Sequence, residues 1–324
     1  MKVLITGGLG CIGSEATKWL IRNTSADIIV TSRDTASQRV GRVFHDVDCS
    51  RIEVIQLDMC DAGAMLAFFE ANPITHVVHM AALQTPDCNK YRDQGLQINL
   101  AGTQHLIEAM KAAGSQLRRF LFASSIAVYG PRANYPGDVV PMLAEPDPVN
   151  VYGVWKLAGE QISKIFSLDT GVPTISVRPG VLYGPGRDAG LTSTPTTAMK
   201  HVALGKDYQI PFTNKQDYLY APDVGAALGN MLVESFNGYS AFTLPSHTVD
   251  TQTIVNSIEK AADELGIREG SEISIGDETV PFICDLEYEP FLKAFPNTPH
   301  TALDVAVRNS IEVFQNQVAR GWLM

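Results

Sequence analysis

Cysteine is scarce and scattered. The 324-residue chain has five, Cys11, Cys49, Cys60, Cys88 and Cys284. They are odd in number and without close pairs, which argues against a disulfide framework and a structural zinc site and suits isolated thiols in a reducing compartment. The seven histidines are dispersed and make no His-Glu-x-x-His motif, so no metal site is expected. Basic side chains are also short, 25 against 35 acidic ones for a net charge of −10. Such a surface repels nucleic acid and anionic membranes, so neither is an expected partner. No run of about 18 apolar residues is present, as a membrane-spanning helix requires. Met1 to Ile5 lead directly into a glycine-rich turn, without the longer apolar stretch and cleavage site of a signal peptide. A soluble, cytoplasmic protein is expected.

Apolar residues make up 45% of the chain and charged residues 19%, enough to build a sizeable core. At about 150 residues per domain, the length suits roughly two domains, or one with an appendage. Short apolar runs at 3–5, 28–30, 52–57, 76–80, 120–123 and 174–177 read as strands. Helical patterns alternate with them, including 96–113 and 152–167. Strands joined by helical crossovers imply an α/β fold, a parallel sheet covered on both faces. Beyond residue 180 the rhythm changes. Residues 183–195 are rich in Gly, Pro, Ser and Thr and suit a long loop over a cleft. Helices are expected at 222–235, 250–264 and 302–317, and short strands at 240–244 and 271–281.

Gly7, Gly10 and Gly13 fall between the first strand and the first helix. A turn there must be tight and must admit a dinucleotide pyrophosphate to its backbone, while the helix amino terminus offers amide donors. Gly7, Gly10, Cys11, Ile12 and Gly13 are therefore candidate cofactor contacts. The end of the second strand separates NAD from NADP. Ser32 is small and neutral, and Arg33 offers donors to a 2′-phosphate. This favours NADP over NAD; the alternative leaves Arg33 as an exposed loop residue and gives the ribose to Asp34. Arg39 and Arg42 are possible helpers. Asp58 and Met59 follow the third strand and could border the adenine, and Ala81 and Ala82 after the fourth are small enough to admit a cofactor.

Tyr152 and Lys156 stand four residues apart, on one face of a helix that Asp147 to Asn150 could start. A nearby ammonium favours phenolate and lowers a tyrosine pKa toward the range of a general acid or base. Ser124 or Ser125 follows the fifth strand, where parallel sheets present ligand-facing loops.

The combination of Thr6 to Gly13, His79-Met80-Ala81-Ala82, Asn99, Ser124 to Gly130 and Tyr152-x-x-x-Lys156 resembles the extended short-chain dehydrogenase/reductase family, which contains the nucleotide-sugar epimerases and dehydratases. The likeness runs over about residues 1–235. It implies a Rossmann-type doubly wound parallel sheet with a small mixed α/β C-terminal substrate-binding region. Residues 1–180, with 210–235 returning to them, would form the dinucleotide-binding domain and 181–324 mostly the substrate-binding region. It also implies Tyr152 as acid/base, Lys156 on the nicotinamide ribose, Ser125 rather than Ser124 as the catalytic serine, Asn99 in the active-site network, and Pro179 and Val181 near the carboxamide. A homodimer is implied as well.

Nucleotide-sugar enzymes of this family often carry arginines where this chain has Gln216 and the Ile283-Cys284-Asp285-Leu286 segment. Without those cations a diphosphate is poorly matched. The expectation is an NAD(P)-dependent dehydrogenase or reductase of a small polyhydroxylated substrate, a sugar, sugar acid or hydroxy-acid derivative. Its substrate contacts would come from Gln84, Ser125, Ile126, Tyr152, Arg187 and Ser193, with Arg187 available for a carboxylate. An epimerase that retains its cofactor and a non-catalytic dinucleotide-binding regulator are the alternatives.

Overall fold

The computed structural model describes residues 1–112, 114 and 116–324. The first half alternates as the sequence pattern predicts: β1 (Lys2–Thr6), α1 (Cys11–Asn23), β2 (Asp27–Thr31), α2 (Ser37–Val43), β3 (Ile52–Ile55), α3 (Ala62–Ala71), β4 (His76–His79), α4 (Thr85–Lys90), α5 (Arg92–Leu96), α6 (Gly102–Ala112), β5 (Arg119–Ala123), α7 (Val151–Thr170) and β6 (Thr174–Arg178). The second half adds β7 (Val181–Tyr183), α8 (Thr194–Ala203), β8 (Tyr208–Phe212), β9 (Gln216–Tyr220), α9 (Ala221–Val233), β10 (Tyr239–Thr243), β11 (His247–Val249), α10 (Thr251–Glu264), β12 (Ile273–Glu278), α11 (Glu289–Ala294) and α12 (Leu303–Ala319).

Seven strands form one parallel sheet in the order β10-β6-β5-β4-β1-β2-β3. Val3, Leu4 and Ile5 in its centre are wholly buried, as strands covered by helices on both faces must be. This is a Rossmann-type fold with an additional mixed α/β region. That region holds β7, β9 and β11 in one small sheet and β8 with β12 in another. The stretch 240–244, expected among the C-terminal strands, instead supplies β10, the seventh strand beside β6. Within 210–235, α9 packs against α1 through Val224, Ala227, Leu228 and Met231, whereas β8 and β9 lie in the small sheets.

Two departures from the sequence reading concern local geometry. The helix expected over 96–113 opens with a wide π-turn, Gln97–Ala101, before α6, and its expected end at residue 113 falls outside the described residues. The loop expected over 183–195 is shorter, since Val181–Tyr183 forms β7 and α8 starts at Thr194. Among the described residues no helix is long and apolar enough to cross a membrane.

Helix α7 is held closely. Asn150 caps it by accepting from the Gly153 amide at 2.9 Å, as the Asp147–Asn150 entry suggested. A Cβ on Gly153 would fall 2.1 Å from the Ala127 carbonyl oxygen, so only glycine lets the helix lie this near the turn after β5. One turn beyond Lys156, Glu160 receives a two-pronged bond from Arg178, with Nε and Nη2 each donating at 2.7 Å. Arg178 Nη1 also donates to Tyr129 Oη at 2.7 Å and to the Met142 carbonyl at 3.0 Å. Burial alone would lower the guanidinium pKa, but the Glu160 bonds override it and the net direction is upward.

Removing one member of a buried ion pair leaves the other charge uncompensated. Glu160→Ala should therefore lower the unfolding free energy by about 3–5 kcal/mol in a urea titration. A loss below about 1 kcal/mol, typical of an exposed pair, would contradict this assignment.

Candidate active site

A cleft of about 860 Å³ opens where the carboxyl ends of β1, β2 and β4 meet the loop after β7. It brings together Gly7, Gly10, Cys11, Ile12, Gly13, Ser32, Arg33, Asp58, Met59, Ala81, Ala82, Gln84 and Arg187, all anticipated from the sequence. The sequence reading missed Thr31, Gln56, Leu57, Met80, Leu83, Gln94, Ile98 and Leu182 in the same wall. Several of these sit at or just past strand ends, which is the signal that could have found them.

The glycine turn fits a dinucleotide. Gly7 has φ +67°, and a Cβ there would press on the Ala81 backbone at 3.1 Å. A Cβ on Gly13 would fall 2.7 Å from the Gly8 Cα. Helix α1 begins without a side-chain cap, so its first amides remain open to an anion. At the far end, Arg33 and Asp34 are both exposed and both line the cleft mouth. Asp34 accepts from the Ala36 amide at 3.0 Å and from Arg39 at 3.3 Å. Those two bonds, the backbone one first, hold its carboxyl below the usual range.

Tyr152 packs against the cluster of Leu83, Cys88 and Trp155, of which Leu83 belongs to the cleft wall. Of the two serines, Ser125 is the one near enough to pull the Tyr152 phenol downward, and its Oγ accepts from the Ala127 amide at 3.1 Å. Ser124 is buried, with no partner for its hydroxyl among the described residues. Lys156 lies beneath the phenol, its Nζ 5.6 Å from the Tyr152 ring centre and donating to the Ala123 carbonyl at 2.6 Å. The expected lowering of the Tyr152 pKa by Lys156 is not found. Burial pushes the phenol up to about 12, against smaller downward pulls from Ser125 and Arg187. A phenolate costs more to desolvate than these neighbours return. Burial likewise lowers Lys156 to about 8, opposed by Cys88 and Glu160.

Asn99 occupies a different place from the one expected. It sits in the π-turn, 2% exposed, with Oδ1 accepting from the Leu83 amide at 2.7 Å and Nδ2 donating to the Leu83 carbonyl at 2.9 Å and Cys88 Sγ at 3.3 Å. With both ends of its amide bound to the wall, it shapes the cleft and has little left for reacting groups. Ser193 also departs from expectation: it is buried and its hydroxyl donates to the Gly190 carbonyl at 2.9 Å, closing a turn. Ile126 and Val181 are buried, and the Ile126 amide donates to the Pro179 carbonyl at 3.2 Å, which ties the Ser125 turn to the end of β6. Arg187 is half-buried. Its Nη1 and Nη2 make only long bonds, to Gln84 Oε1 at 3.4 Å and Thr192 Oγ1 at 3.5 Å.

A glycine cradle, an uncapped helix end and a Ser–Tyr–Lys group thus stand beside one cleft. The model of the NAD dependent epimerase/dehydratase family matches residues 3–243. The chain belongs to this family. It is an enzyme, an NAD(P)-dependent oxidoreductase of the extended short-chain type. Among relatives, UDP-glucose 4-epimerase 4 of Oryza sativa subsp. japonica is 30% identical over 293 residues, 80% of this chain and 76% of that protein. D-erythronate dehydrogenase of Cupriavidus necator is 31% identical over 194 residues, 56% of this chain and 57% of that one. Among solved structures, MoeE5 in complex with UDP-glucuronic acid and NAD superposes with a TM-score of 0.79 at 22% identity, over 98% of this chain and 100% of that one, a likeness of fold.

The expected preference for NADP is overturned. The family is NAD dependent, and MoeE5 and further structures of this fold were solved with NAD. The site supplies a physical reason: beside Arg33 at the cleft mouth, Asp34 is paired with Arg39 and held ionised, and its charge opposes a 2′-phosphate. The glycine cradle and open amides fit NAD.

The low pKa of Lys156 has a measurable sign. Between about 8 in the folded protein and 10.5 unexposed to burial, the unfolded chain binds the extra proton, so stability rises with pH across that window. The urea midpoint of the wild type, measured relative to Lys156→Met, should climb from pH 8 towards 10.5. A flat or falling difference would show that the ammonium is not buried.

Proposed function

We propose that this enzyme is an NAD-dependent dehydrogenase or reductase that interconverts a hydroxyl and a carbonyl on a small polyhydroxylated substrate. The place of Tyr152 with Lys156 beneath it and the NAD-fitting cleft alongside carries the reading. Bound NAD supplies a two-electron hydride acceptor or donor. Tyr152 exchanges the proton of the substrate oxygen, and Ser125 holds that oxygen by hydrogen bond. Lys156 offers positive charge below the phenol, and Asn99 fixes the Leu83 wall. In this reading residues 1–180 carry the dinucleotide and most of 181–324 grip the substrate.

The charges of the C-terminal region support a small substrate. Gln216 is fully buried and neutral. Asp285 accepts from Arg132 at 3.1 Å and from Lys215 at 2.6 Å, so both nearby cations already have a counter-ion. A diphosphate would have to compete with that carboxylate. The name of the D-erythronate dehydrogenase relative agrees with this choice. The names of other relatives, such as dTDP-glucose 4,6-dehydratase of Shigella flexneri and the rice epimerase, favour a second reading, conversion of a nucleotide-sugar.

Purified enzyme with NAD and a panel of polyols, aldonates and nucleotide-sugars separates the two. The first reading predicts net NADH formation, seen as nicotinamide absorbance, with a polyol or aldonate. Interconversion of a nucleotide-sugar with no net absorbance change would support the second. Tyr152→Phe should lose about 10²–10⁴-fold in turnover while its circular dichroism stays native. Near-normal turnover in that variant would remove Tyr152 from the acid/base role.

A further inference from the structure

Among the described residues Arg187 has neither a carboxylate nor a close acceptor; the buried Arg119 also lacks a carboxylate but donates to the Met231, Glu234 and Phe236 carbonyls. Arg178 is paired with Glu160 and Arg132 with Asp285, and the neighbour of Arg187, Asp188, turns outward to Lys200. Among the described residues no carboxylate stands within ion-pairing distance of Arg187. Its two bonds, at 3.4 and 3.5 Å, lie beyond the usual 2.7–3.2 Å range, and Nε is buried without a partner. Burial works against the charge of this guanidinium, with partial relief from Cys11 and Tyr152. A desolvated cation with vacant donors is costly unless an anion completes it.

The loop around it preserves the vacancy. Gly190 has φ +112°, and a Cβ there would sit 2.4 Å from Gln84 Oε1 and 2.6 Å from Arg187 Nη2. Gln84 and Arg187 line the cleft together, and Arg187 lies within electrostatic reach of Tyr152.

We propose that Arg187, steadied by Gln84 over Gly190, is the specificity group of this active site and takes the carboxylate of a polyhydroxy acid whose carbinol lies at Tyr152. The proposal rests on the dehydrogenase reading and narrows its substrate from polyols to their acids. A planar carboxylate accepts two parallel bonds from the guanidinium fork, which an uncharged hydroxyl does not. The pyrophosphate of the cofactor offers similar chemistry from the Cys11 side, and the electrostatic reach of Arg187 to Tyr152 favours the substrate.

The test is calorimetric titration of NADH-loaded enzyme, in which alcohols bind without reacting. Threonate and gluconate are compared with threitol and glucitol, for the wild type, Arg187→Met, Arg187→Lys and Gly190→Ala, all checked for native circular dichroism. At least one acid should bind about 10- to 100-fold tighter than its alditol. Arg187→Met should erase that preference, Gly190→Ala should reduce it by displacing the fork, and Arg187→Lys should restore part of it. Equal binding of acid and alditol, no binding of either, or a preference that survives Arg187→Met would overturn the proposal. So would a fall in NADH affinity in Arg187→Met with the acid preference intact, which assigns the arginine to the pyrophosphate. Acid binding through Arg187 without turnover of any alcohol would sustain the inference and overturn the dehydrogenase reading. Oxidation of alditols as well as acids, independent of Arg187, would do the reverse.

Discussion

Beneath α7 a guanidinium and a carboxylate are buried against each other, and the position of the chemical group depends on them. Arg178 closes the last strand before the substrate-side loops, and Glu160 lies one turn from Lys156. The remaining donors of Arg178 reach Tyr129 and the Met142 carbonyl. One side chain thus fixes the helix that carries Tyr152, the turn that carries Ser125 and the loop beside them. The charges are expensive to bury, so any movement of α7 that breaks the pair leaves an uncompensated ion. This resists drift of the phenol away from its serine. The close approach at Gly153 adds a steric limit in the same direction.

What was legible in the sequence is what short-range rules control. The glycine turn between a strand and a helix, the buried strands 3–5, 28–30 and 76–80, and the i,i+4 placement of Tyr152 and Lys156 each depend on neighbours a few residues away. Ser125 could be chosen over Ser124 only through family resemblance. What escaped depends on distant partners. Asn99 is bound to Leu83, sixteen residues earlier, across a π-turn that no periodicity announces. The direction of the Tyr152 pKa was missed because burial is a tertiary property, whereas the nearby lysine is visible in the chain. Strand β10 was assigned to the wrong region, since its apolar run does not say which sheet edge it completes.

The cofactor was misjudged for a related reason. Arg33 and Asp34 are adjacent in sequence and opposite in charge, and sequence alone does not say which the cofactor meets. Folding leaves both at the cleft mouth and pairs Asp34 with Arg39, so a carboxylate there opposes an extra phosphate. The other end of the cleft has the opposite character. There Arg187 has vacant donors and no counter-ion, while Gln216 is neutral and Asp285 neutralises Arg132 and Lys215. Charge is thus left unsatisfied at Arg187 and balanced around Asp285.

The most direct examination of this account is a crystal structure of the enzyme with NAD bound. It predicts the adenosine end of the cofactor between Asp34 and Asp58, its pyrophosphate on the Gly7–Gly13 turn, and its nicotinamide ring against the hydroxyl of Tyr152. A nicotinamide ring bound away from Tyr152, or a Tyr152 hydroxyl closed off from any space a substrate could occupy, would contradict it.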